Sequence, residues 1–249
     1  NDLEGGPSRQ NEAMNITINN LTVKAGSSMI LCDVSHEFEN GKLHCVIGPN
    51  GSGKTTLVKE IVKSFSRKES IAFVPQETFG NFVLQVRDVI ALGRYDSTRF
   101  LYGESQQDKD RIEDAAKRMA ISHLLPRLYD SLSGGEKQAV MIARALAQDA
   151  NWLIMDEPCA HLDVKSSQKA LSNLQDIIAQ DNSKSCIVVL HDINMALQYA
   201  SSIVLMSEGK ILAAGKPNEA ITNESLSEAY DSHFERIEGY SGRAFFIPT

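Results

Sequence analysis

An α/β fold with a mainly parallel sheet is what this sequence of 249 residues predicts. Short apolar runs of strand length recur along it, and amphipathic helical patterns stand between them. Such alternation calls for crossover connections and a sheet covered on both faces. A third observation refines the picture. Between Gln76 and about Ala150 the strand signals give way to helix and loop, so 77–150 reads as a helical insertion in the α/β core.

Residues 1–13 are polar, contain Gly and Pro, and read as a cloning remnant plus disordered tail outside the fold, leaving 14–249 as one domain. From Asn15 to Val23, Ile16, Ile18, Leu21 and Val23 alternate with polar residues, the pattern of a half-exposed strand. Lys42 to Ile47 is a shorter apolar strand running into a Gly-rich turn, followed by a helical pattern over Thr56 to Phe65 and a strand at Ile71 to Val74. Charged helical sequence at Asp108 to Met119 follows a polar loop at Asp96 to Gln107. Strand signals resume at Trp152 to Met155, Cys186 to Leu190, Ile203 to Met206 and Lys210 to Ala213.

Hydrophobic residues make up 42% and charged residues 23%, ordinary for a globular chain with a sizeable core. With 25 basic and 32 acidic side chains the net charge is −7, which disfavours non-specific binding to nucleic acid or anionic lipid. No apolar run approaches the ~20 residues that span a bilayer. With no secretory signal in view, the expectation is an intracellular protein that meets a membrane only through a partner. Cys32, Cys45, Cys159 and Cys186 are far apart and form no CxxC pair, so they read as reduced structural thiols.

Three motifs carry chemistry. Gly48-Pro49-Asn50-Gly51-Ser52-Gly53-Lys54-Thr55 matches GxxxxGK[ST] between a strand and a helix. Glycines there let backbone N–H groups close around phosphate oxygens, with the helix N-terminus adding partial positive charge. Lys54 is placed to reach the β- and γ-phosphates, the Thr55 hydroxyl to hold Mg²⁺, and Thr56 completes the cradle. In the second motif, Trp152 to Met155 delivers Asp156 and Glu157 at the carboxyl end of an apolar strand, where ligands bind in open α/β sheets. Adjacent residues on an extended chain point opposite ways. Asp156 then suits Mg²⁺ and Glu157 suits the base that activates water. The third, Leu132-Ser133-Gly134-Gly135-Glu136-Lys137-Gln138, has a plain reading as a capping box, Ser133 with Glu136, ahead of an apolar helix. That reading leaves Gly134 and Gly135 unexplained, since each glycine costs up to about 1 kcal/mol in a helix. A bare, capped helix start is a second anion site.

GPNGSGKT, FVPQ ending at Gln76, LSGGEKQ, WLIMDEP, HLD ending at Asp163 and VLHD with His191 stand here in an order that resembles the ATPase subunits of ABC transporters. The likeness covers essentially all of 14–249. QVRDVIALGRY, EPCAHLD and the tail GRAFFIP are similar to the branch serving iron-chelate, haem and cobalamin importers. The resemblance implies a P-loop NTPase core, an inserted helical subdomain and an antiparallel β-subdomain. It implies ATP and Mg²⁺ as ligands, and a head-to-tail pair in which Ser133, Gly134 and Gly135 of one copy cover the γ-phosphate held by the other. Gln76 would sense Mg²⁺ and water, His191 would bond the γ-phosphate, and Asp163 would touch the opposite copy. A membrane permease would dock near 77–102, a substrate-binding protein would act upstream, and the chain would sit on the cytoplasmic membrane face. The rival readings are a non-transport ABC ATPase acting in cofactor assembly or on ribosomes, an exporter, whose ATPase is commonly fused to membrane helices, and a nucleotide-dependent binding module without turnover, which the presence of Glu157 and His191 disfavours.

Three departures from the family pattern stand out. Ala25 falls where an aromatic usually stacks on adenine; such stacking is worth about 1–3 kcal/mol, or about 5- to 150-fold in affinity. Lys54 and Gln76 are 22 positions apart, about half the usual spacing, so a trimmed β-subdomain is expected. Cys159 replaces a small hydroxyl residue, and with Glu157 nearby it is not expected to be a reactive thiolate.

Overall fold

The computed structural model describes residues 14–64, 71–76, 83–94, 104–160, 162–239 and 244–249. Its centre is a six-stranded sheet in the order β4-β5-β6-β3-β7-β8. These strands span Ile71–Val74 (β4), Trp152–Asp156 (β5), Ser185–Val189 (β6), Leu43–Ile47 (β3), Ser202–Ser207 (β7) and Lys210–Gly215 (β8). All neighbours run parallel except β7 and β8, which form an antiparallel pair at one edge.

Strand alternation splits the core into two layers. Trp152 and Ile154 of β5, Ile187 and Val189 of β6, and Val46 of β3 face one layer. It is closed by Leu57, Val58 and Ile61 of helix α1 (Lys54–Ser64) and by an antiparallel hairpin of β1 (Ile16–Ala25) and β2 (Ser28–Phe38). Leu153 and Met155, Cys186 and Val188, and Cys45 face the opposite layer. There they meet α4 (Gly134–Ala147) and α5 (Val164–Gln180), whose stripe Ala170, Leu171, Leu174, Ile177 and Ile178 follows the helical repeat.

Helices α2 (Val86–Ala91), α3 (Gln106–Arg118) and α4 lie in the chain between β4 and β5, strands that are neighbours in the sheet. Ser105 and Asp108 cap α3 reciprocally, and Arg94 ties Asp108 to the carbonyl of Ala147 at the end of α4. The glycine at 93 leaves no space for a side chain, since a Cβ would stand 2.1 Å from Arg144 O.

Helix α6 (Ile193–Tyr199) lies between β6 and β7, and after β8 come α7 (Pro217–Ala220), α8 (Asn223–Tyr230) and a hairpin of β9 (Phe234–Glu238) and β10 (Ala244–Pro248). Strand β2 and this last hairpin carry no clear mark in the sequence. Apolar residues sit side by side at Ile30-Leu31-Cys32, breaking strict alternation, while β9 is mostly charged and exposed. The β1–β2 turn takes a positive φ only at Gly26 of its two central residues, which suits a tight hairpin. Exposed Ala25 stands at its tip, paired with Ser28.

Candidate functional site

Four neighbouring strands, β4, β5, β6 and β3, end on the same side of the sheet, and each delivers one piece of the site. Gln76 follows β4, Asp156 and Glu157 end β5, His191 follows β6, and the Gly48–Thr55 loop follows β3 into α1. The sheet order therefore assembles residues that lie more than a hundred positions apart.

Gly48, Gly51 and Gly53 all take positive φ, and a Cβ at Gly48 would stand 2.1 Å from Met206 O. Lys54 is buried, and its Nζ donates to Gly48 O and Pro49 O, both at 2.9 Å. Burial pulls its pKa down, while Glu157 and Asp156 push it back up. Ser52 is buried and its Oγ has no partner.

Thr55 Oγ1 donates to Asp156 Oδ1 at 3.0 Å, and the buried Asp156 Oδ2 is left without a partner. Desolvation raises the Asp156 pKa and Glu157 adds to the rise, while the Thr55 bond opposes it. A buried carboxylate oxygen with no donor is costly unless a cation or donor meets it. A hydroxyl and one carboxylate, side by side, fit Mg²⁺, which keeps phosphate oxygens and waters for its other positions. Thr55 and Asp156 would hold the ion, which supplies charge neutralisation at the phosphates.

Glu157 is gripped from two sides. Gln76 Nε2 donates to Oε2 at 2.5 Å and His191 Nε2 lies 2.6 Å from Oε1. Here the geometry differs from the extended-chain expectation. Strand β5 stops at Asp156 and Glu157 has φ +51, in the left-handed region. A turn, not strand alternation, separates the two carboxylates. For a residue other than glycine that conformation costs about 1–3 kcal/mol. The turn bond from Ala160 N to Glu157 O and the two side-chain bonds hold it.

Ser133 caps α4 as the sequence suggested: Glu136 N donates to Ser133 Oγ, and Ser133 N and Oγ both reach Glu136 Oε2. Those bonds hold the Glu136 pKa down. Gly134 and Gly135 form the first turn. A Cβ on Gly135 would meet Ser166 Oγ at 3.0 Å, and Leu162 comes next. The Ser133 helix start thus packs against the start of α5 rather than over Lys54 of its own chain. Asp163 caps α5, accepting from Ser166 N at 2.7 Å, and these bonds keep its pKa low. Ser166 went unmarked in the sequence; its place three residues after a capping Asp is the signal that finds it. His161 and parts of 77–102 lie outside the described residues. Burial pushes the Cys159 thiol up to about 11, in line with an unreactive side chain.

Comparison with known proteins gives a consistent result. A family model described as ABC transporter matches residues 31–160. The cobalamin import ATP-binding protein BtuD of Halobacterium salinarum is 31% identical over 240 residues, covering 88% of this chain and 59% of that protein. The chain thus spans about three fifths of that relative's length. The hemin import ATP-binding protein HmuV of Shewanella denitrificans is 31% identical over 246 residues, covering 88% of this chain and 95% of that one. Among solved structures, an inward-facing metal-chelate type ABC transporter aligns over 94% of this chain and 96% of its own, with a TM-score of 0.81 at 23% identity.

Proposed function

Because this chain belongs to the ABC transporter family of ATP-binding proteins, we propose that it hydrolyses ATP to drive an importer of a metal-chelate, haem or cobalamin-type compound. The observation that carries the reading is Glu157 held between Gln76 and His191, beside the Thr55–Asp156 pair and the Gly48–Thr55 loop.

The loop's backbone amides and Lys54 bind the phosphates, and Lys54 has only loop carbonyls to give up in doing so. Glu157 takes a proton from the water that attacks the γ-phosphorus, and the bond to the bridging oxygen of ADP breaks. His191 orients Glu157 and the γ-phosphate, while Gln76 links the same carboxylate to β4 and the helices beyond it. Ser133 and Gly134 are exposed at this helix start, and with Gly135 they would complete the Lys54 site of a second copy, with Asp163 at the same contact. Residues 14–249 act as one ATP-binding domain with 77–150 as its helical insertion, docked on integral-membrane permease subunits at the cytoplasmic membrane face. A substrate-binding protein feeds the permease. Among the described residues no helix is long and apolar enough to cross a membrane.

Phosphate release from Mg-ATP by the purified chain tests the reading. The expected result is turnover that Lys54→Ala and EDTA each abolish; turnover surviving Lys54→Ala would overturn it.

A further inference from the structure

The turn that carries His191 leads at once into α6, which is seven residues long and tied to the far end of the chain. The Asn194 carboxamide pairs with the backbone of Phe246 in both directions. Nδ2 donates to Phe246 O at 3.1 Å, and Phe246 N donates to Oδ1 at 2.9 Å. Phe246 is buried in the larger core layer. A side-chain amide here does what a neighbouring strand would do, because Asn offers one donor and one acceptor in a plane on a short stem. Local capping of α6 is already done by Asp192, which accepts from Met195 N. The Asn194 bonds are therefore purely tertiary.

The segment they reach is packed a second time, against α8. Strand β9, the partner of β10, follows α8, and the last residue of that helix is Tyr230. Its ring packs edge-on against Phe234 of β9 at 5.6 Å. Chain that serves no catalytic step thus backs the helix behind His191.

We propose that Asn194 is a positioning residue for hydrolysis, holding α6 on β10 so that His191 stays within hydrogen-bond reach of Glu157. The inference rests on the reading of Glu157 and His191 as the hydrolytic pair. Once Asn194 is lost, α6 keeps its cap but not its tether, and a catalytic group displaced by a fraction of an ångström can lose about tenfold in rate. Asn194 itself bonds only Phe246 and does not touch Lys54 or the Gly48–Thr55 loop that bind the phosphates.

The test is steady-state ATP hydrolysis by the full chain as wild type, Asn194→Ala, His191→Ala and the double variant. The expected result is kcat down about tenfold in Asn194→Ala with KM for ATP unchanged, and no further loss when it is added to His191→Ala. Asn194→Asp, isosteric and still an acceptor for Phe246 N but with no donor for Phe246 O, gives the same split and serves if the alanine variant does not fold. Independent, multiplicative losses, a loss expressed in KM, or full activity in both Asn194 variants would overturn the inference. Full activity in His191→Ala would instead sink the underlying reading of the pair.

Discussion

Replacing Glu157 by Gln keeps the shape of the side chain and removes its charge and its ability to take a proton. The carboxylate accepts two bonds, from Gln76 at 2.5 Å and from His191 at 2.6 Å. A carboxamide can accept one of them and turns its NH₂ toward the other donor. Gln76 can answer by flipping its amide and His191 by changing tautomer, so the folded state loses about one charge-assisted bond, roughly 1.5–3 kcal/mol at most. Gln76 is exposed and the His191 side chain is 45% exposed, which keeps the loss toward the lower end. The effect on chemistry is larger. Without a general base the rate falls about 10²–10⁴-fold, equivalent to about 3–5 kcal/mol of activation free energy. Phosphate release at saturating Mg-ATP, read beside ATP affinity and thermal unfolding, separates the two. The prediction is turnover reduced by at least about 10²-fold, with ATP affinity retained and only a modest drop in Tm. Hydrolysis within tenfold of wild type would refute the assignment of Glu157 as the base.

Three further outcomes follow from local geometry. His44 is buried, hydrogen-bonded to Glu39 O, and packed between Phe38 and Trp152, and burial pulls its pKa down to about 4. A His whose folded pKa lies below its unfolded value stabilises fully above pH 6.5 and loses that contribution as pH falls toward 4. Urea unfolding should show about 3 kcal/mol lost over that window and a flatter profile in His44→Phe; an unchanged profile would contradict the assignment. Gly48→Ala places a Cβ 2.1 Å from Met206 O as well as straining a positive φ, whereas Gly51→Ala brings the strain with nothing within 4 Å. Denaturant midpoints should show the first destabilised by about 2–4 kcal/mol and the second by about 1–2, and equal losses would show the clash to be relieved. With its thiol near pKa 11, Cys159 should alkylate at pH 7.5 about a hundred times more slowly than an ordinary thiol; rapid labelling that also stops hydrolysis would contradict an inert structural role.

Much of the site was legible because its chemistry dictates residue type at fixed spacing. Only glycine admits the backbone of the Gly48–Thr55 loop, and only a strand end brings Asp156 beside Thr55. The capping box at Ser133 and Glu136 was likewise written in local sequence, and the structure shows both halves of it. What could not be read is what tertiary contact decides. The direction of Glu157 comes from a left-handed turn that no composition rule marks. Strand β2 forms because Leu31, Val34 and Phe38 find a core beneath them, although its polar residues blur the pattern. The grip of Asn194 on Phe246 joins positions 52 residues apart and has no signature of spacing. Ala25, which falls where the family usually has an aromatic, stands exposed at the hairpin tip.

In the proposed reading each ATP is enclosed by Lys54 of one copy and the Ser133–Gly135 helix start of another. Light scattering of purified Glu157→Gln protein, with and without Mg-ATP, tests it directly. A monomer is expected without nucleotide, and a mass of about twice 27.4 kDa with it. A monomer that binds Mg-ATP and stays a monomer at every protein concentration would contradict it.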